Sequence, residues 1–225
     1  MFAFVPDMLP FTREQFFAVF AGYNEAVWPA QIALLAVALG AVVAVVRFPA
    51  RGALAGAALA VLWGWMAVVY HAISFTRISP VGWAFAAIFL AGSALFARAT
   101  LNGSLVFDSP RGLDGAVGVA FVAYALLGYT MVGELAGHHY PAAPTFGVPC
   151  PTTIFTLGLL LLARRPRPRV VFVIPLLWSA IGSTAAFRLG VREDFGLLAA
   201  GVATMALLLR RAPSSQPSPH RARTP

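Results

Sequence analysis

Long apolar runs separated by short polar turns set the pattern of this chain. Seven runs stand out, from about Pro29 to Val46, Ala53 to Tyr70, Val81 to Ala97, Ala116 to Leu135, Thr152 to Ala163, Val170 to Phe187 and Phe195 to Leu209. They are continuous, not alternating, and rich in Ala, Leu and Gly, which predicts helices and not barrel strands. A helix that crosses a bilayer needs roughly 20 mainly apolar residues. The expected fold is therefore all-α, a polytopic transmembrane helix bundle of about seven spans over residues 29–211. Residues 1–28 read as an amphipathic segment on the outer face, because Thr12 and Gln15 fit a capping box ahead of an apolar stripe at Phe16, Phe17, Val19, Phe20 and Tyr23. A simple lead-in to the first span is the alternative. Residues 212–225 are rich in Pro, Ser and Arg and are expected to form a disordered cytoplasmic tail.

Composition agrees with the membrane reading. Hydrophobic residues make up 60% of the chain, charged residues 11%, and the mean hydropathy is +0.80; soluble domains carry about a quarter of their residues as charges. The start of the chain has no basic n-region, so the first span is expected to be an uncleaved anchor. All 16 basic residues are arginine, and twelve of them fall on one side of the seven-span layout against four on the other. The positive-inside rule makes the twelve-arginine side cytoplasmic and the N-terminus external. The expected location is the bacterial inner membrane, with the lipid bilayer as partner. No interleaved basic and aromatic surface argues for nucleic acid, and no feature specifies an oligomer.

The residues with chemical potential gather on the outer side. His71 and Arg77 follow the second run. Glu134 and His138 stand four apart and share one helical face if the fourth helix continues that far. Such a pair can ligate a divalent metal, with His139 and His71 as further ligands, or it can form a hydrogen-bonded, proton-handling pair. The stretch Tyr140 to Thr153 contains four prolines within eleven residues, and only a short apolar run follows before Arg164. This predicts a fifth helix that starts below the outer surface, with Pro151 in its first turn and Cys150 at the start, where a helix N-terminus favours a thiolate. Thr152 and Thr153 add hydroxyls. A short helix with a structural loop and a buried, apolar Cys150 is the plainer alternative. Arg188 is expected to pair at the rim with Glu134, Glu25 or Asp194.

Absences narrow the field. Without lysine there is no retinal Schiff base, and there is no P-loop, dinucleotide fingerprint or HExxH motif. The chain resembles a family of uncharacterised bacterial multi-pass membrane proteins, a domain-of-unknown-function family. The resemblance rests on Leu9 to Phe16, Tyr23 to Pro29, Phe75 to Pro80 and Tyr140 to Thr156, and it implies an integral bacterial membrane protein without implying an activity.

The leading functional expectation is binding or transport of a small solute or ion, anionic or proton-coupled, in an outward-facing cavity. Its candidate residues are His71, Arg77, Glu134, His138, Cys150, Thr152 and Thr153. No cofactor is expected on this reading. The alternatives are a membrane enzyme holding a divalent metal at His71, Glu134, His138 and His139, or a haem between His71 and His138, and a non-catalytic assembly subunit.

Overall fold

The computed structural model describes residues 10–48 and 52–210. Among them no strand forms, and helices run in the order α1 (Arg13–Val27), α2 (Ala30–Arg47), α3 (Ala53–Trp65), α4 (Gly82–Leu101), α5 (Gly112–Ala123), α6 (Tyr129–Leu135), α7 (Pro149–Leu160), α8 (Val170–Gly182), α9 (Thr184–Arg188) and α10 (Phe195–Leu209). Two π-helical segments interrupt this order, Met66–Ser74 after α3 and Tyr124–Gly128 between α5 and α6. Counting such continuations, five helices are long and apolar enough to cross a membrane: Ala30–Arg47, Ala53–Arg77, Gly82–Leu101, Gly112–Leu135 and Val170–Arg188. They mark the chain as a membrane protein. The other two predicted runs form α7, of 12 residues, and α10, of 15. The expected tail at 212–225 lies outside the described residues.

α1 begins as its sequence requires. The Thr12 hydroxyl accepts from the Gln15 N–H at 3.2 Å, and the Gln15 side chain accepts from the Thr12 N–H at 2.8 Å. Its apolar face does not point into lipid. Phe16, Val19, Phe20, Tyr23 and Val27 are buried in one cluster with Tyr70, Phe75, Val148, Leu189 and Val191, so α1 roofs one end of the bundle. The seal is aromatic: Phe16 meets Phe20 at 4.9 Å between ring centroids, and Tyr23 meets Tyr70 at 5.5 Å, both edge to face.

α7 is the centre of the bundle, with Pro149 and every residue from Pro151 to Leu160 buried. Glycine allows this. A Cβ on Gly118 of α5 would sit 2.6 Å from the Gly158 carbonyl oxygen, and one on Gly158 would sit 2.7 Å from that of Gly118. The two backbones touch, as small residues permit between membrane helices. The opposite wall is aromatic. Trp63 stacks on Phe89 at 4.6 Å, and its indole N–H donates to Thr156 Oγ1 at 3.0 Å.

The arginine-rich end closes α7. Arg167 turns back, donating from Nε to the Ala163 carbonyl at 2.8 Å and from Nη2 to that of Leu161 at 2.6 Å. Asp114 holds both Arg165 and Arg167 at 2.6 Å. A guanidinium thus satisfies carbonyls that the end of a helix leaves open. A helix of 12 residues is about 18 Å long. Enclosed by protein on all sides, it does not need to match the bilayer.

Candidate functional site

A cavity of about 220 Å³ lies beneath α1, where the π segment after α3, the start of α7 and the end of α8 meet. Its walls are mostly aromatic and proline side chains, including Phe16, Phe20, Phe75, Phe85 and Trp178. The polar groups on them are few: Tyr70, His71, Tyr129, Cys150, Thr184 and the Trp178 indole. Small-molecule sites have this character, apolar walls with a handful of fixed polar groups.

His71 is the most informative of these. It is 1% exposed, and neither ring nitrogen has a hydrogen-bond partner. Phe89 lies 4.5 Å from it between ring centroids, Trp178 5.2 Å and Phe85 5.5 Å. The Trp178 N–H is likewise without a partner. Buried polar groups of native proteins are nearly always satisfied, so two such groups on residues that line one cavity point to a place for water or a ligand. His71 sits within the π segment Met66–Ser74, and wide turns of this kind concentrate at functional sites.

Behind Tyr129 and Cys150 lies a pair of acids, Glu193 and Asp194, the second of them expected at the rim. Glu193 is 0% exposed and Asp194 1%. The Tyr129 hydroxyl donates to Asp194 at 2.6 Å, and Cys150 is an electrostatic neighbour of the same carboxyl. Glu193 meets His138 Nδ1 at 2.9 Å, under the Phe17 ring of α1. Tyr124 donates to the Glu193 backbone carbonyl at 2.8 Å. Burial raises the Asp194 carboxyl from 3.8 to about 7, the Tyr129 hydrogen bond opposes the rise and the neighbouring Glu193 adds to it. Asp194 therefore holds its proton in the folded protein under conditions where the unfolded chain has lost it. Its contribution to stability is full below about pH 4, falls as pH rises through about 7, and is flat above. Infrared spectra should show a protonated-carboxyl carbonyl band that titrates near pH 7 and is missing in Asp194→Asn. A band that persists in that variant would assign the proton elsewhere.

The other predicted residues lie elsewhere. α6 ends in a Schellman turn: Gly137 has φ +86°, and the His138 N–H bonds the Gly133 carbonyl at 2.9 Å. The helix therefore stops before His138, and Glu134 does not share a face with it. Glu134 pairs instead with His139 at 2.6 Å, both on the surface. Arg77 is exposed and returns to the Ile73 carbonyl of its own helix. Arg188 forms no ion pair among the described residues. Thr152 accepts from the Gly147 N–H, and Thr153 is buried with its hydroxyl unpartnered; neither lines the cavity. His71, Glu134, His138 and His139 are therefore dispersed over three places, and no group of three or more His, Cys, Asp or Glu that could hold a metal exists among the described residues. Nor do His71 and His138 face one cavity, as a shared haem requires. α7 starts at Pro149, so prolines fill its first and third positions and remove two of the donors a helix start offers to an anion.

A polar clamp fixes the roof. Asn24 of α1, fully buried, donates to the carbonyls of Pro141 at 2.6 Å and Ala143 at 2.8 Å. Its oxygen accepts from Gln31 and Thr145, each at 2.7 Å. Tyr23 accepts from Trp65 at 2.7 Å. The segments Tyr23–Pro29 and Tyr140–Thr156, far apart in sequence, are thus one structural unit. The family of unknown function DUF6064 matches residues 13–217, which takes in every helix described. The chain belongs to the DUF6064 family. No curated protein and no solved structure matches it. The DUF6064 match begins at the first residue of α1, so the roof over the cavity is part of the family's domain.

Proposed function

We propose that this protein binds a small solute in the cavity beneath α1. It is read as an inner-membrane protein with seven passes, the arginine-rich end cytoplasmic and the roofed end outside. The observation that supports binding is the meeting of two unsatisfied buried groups, His71 and the Trp178 indole, in one aromatic cavity. Arg77 and Glu134 stand outside it, so the binding groups are aromatic faces, His71, Cys150 and Tyr129. Uptake across the membrane is the natural use of such a site if α1 lifts.

Filling the cavity is the direct test. Ala185 lines it from α9. Ala185→Phe should leave the protein folded and abolish binding of any small aromatic compound that quenches the tryptophan fluorescence of the wild type. Undiminished binding in that variant would move the solute to another place.

A further inference from the structure

Resting on the reading of the cavity as a solute site, we propose that its ligand is a small organic cation, a protonated amine or quaternary ammonium with an apolar body, which exchanges for the proton of Asp194. Three observations converge on this class.

The first is the wall. Phe16, Phe20, Phe75, Phe85 and Trp178 surround the space, and aromatic faces attract cations through their negative π surface, most strongly where water is excluded. The second is the charge behind the wall. Tyr129 and Cys150 line the cavity; the Tyr129 hydroxyl turns its hydrogen to the Asp194 carboxyl, and Cys150 lies beside it. Asp194 has no arginine or histidine partner among the described residues, whereas Glu193 has His138. A buried carboxylate without a counter-ion must either hold a proton or receive a cation. The third is His71. An imidazole in its neutral form keeps one nitrogen as an acceptor, and the structure gives that nitrogen no donor. An ammonium N–H supplies one. An anion has no comparable welcome: among the described residues no arginine lines the space.

The exchange balances. One cation enters as the Asp194 O–H loses its proton to solvent, and the buried charge stays the same. The groups facing Asp194 are Tyr129 from α6, Cys150 from α7 and Glu193 from its own turn, with Tyr124 and His138 beyond Glu193 and Tyr70 across the cavity. None brings a fixed positive charge.

The test uses the full-length protein in nanodiscs with three probes of one shape: phenethylammonium, phenethyl alcohol and phenylacetate. Calorimetry in two buffers of different ionisation enthalpy counts the protons released. The expected result is that phenethylammonium binds at least about tenfold tighter than the alcohol (about 1.4 kcal/mol) and that phenylacetate does not bind. Proton release should approach one per ligand at pH 6 and vanish well above pH 8. Asp194→Asn should abolish the release and the preference for the cation, and the wild-type comparison stands even if that variant does not fold. Equal binding of alcohol and ammonium, without proton release, would overturn the cation assignment and leave the cavity as a solute site. Binding of none of the three would overturn both.

Discussion

Gly158→Val is expected to prevent assembly of the bundle. A Cβ there meets the Gly118 carbonyl oxygen at 2.7 Å and the Val122 nitrogen at 2.9 Å, both backbone atoms that no rotamer change can move. Overpacking in a core usually costs ~1–3 kcal/mol. Here the helices must separate along the line where α5 and α7 touch, and α7 is buried throughout, so the cost should exceed that range. Gly40→Ala is the matched control. No atom lies within 4 Å of a Cβ at Gly40 on α2, and the exchange should be neutral or stabilise by up to about 1 kcal/mol through helix propensity. Thermal unfolding in detergent, followed by tryptophan fluorescence, separates the two. Equal midpoints would mean that α5 and α7 do not pack through these glycines.

Asn24→Ala should be the most damaging single change in the roof. It leaves the carbonyls of Pro141 and Ala143 without donors, takes the acceptor from Thr145 and leaves Gln31 only its bond to Thr145. Each orphaned buried group costs about 1–3 kcal/mol. Some will find water, so a net loss of about 3 kcal/mol is expected. The loss should be local. Proteolysis or hydrogen exchange should report opening of α1 and residues 140–148, while the Trp63–Phe89 side of the bundle stays protected. Uniform loss of protection would show that the roof and the bundle unfold as one.

The sequence carried the helices well, because long apolar runs leave the backbone few alternatives in a membrane. It also carried the α1 cap, since Thr12 and Gln15 act within one turn. The site was less legible. His71 and Cys150 were legible as candidates, and they do share the cavity. The Glu134–His138 pairing was misread, although Gly137 directly before His138 signalled that the helix would stop there. Asp194 reads from the sequence as a rim charge, whereas it and Glu193 are buried. Two acids at the head of an apolar run are equally compatible with exposure and burial, and only the positions of Tyr129, Tyr124 and His138 on other elements decide between them. The π segment that carries Tyr70 and His71 left no periodic mark, because residues compatible with an α-helix are compatible with a wider turn.

The return of Arg167 to the Leu161 and Ala163 carbonyls has a consequence for biogenesis. A segment as short as α7 has too little apolar length to enter the bilayer alone from the translocon, where roughly 20 residues are needed. Its burial therefore depends on packing against α5, made before it, and α8, made after it, and the Arg167 guanidinium ties it to Asp114. Arg167→Ala should therefore show as a slower yield of protease-resistant chain during synthesis, at unchanged insertion of the longer helices.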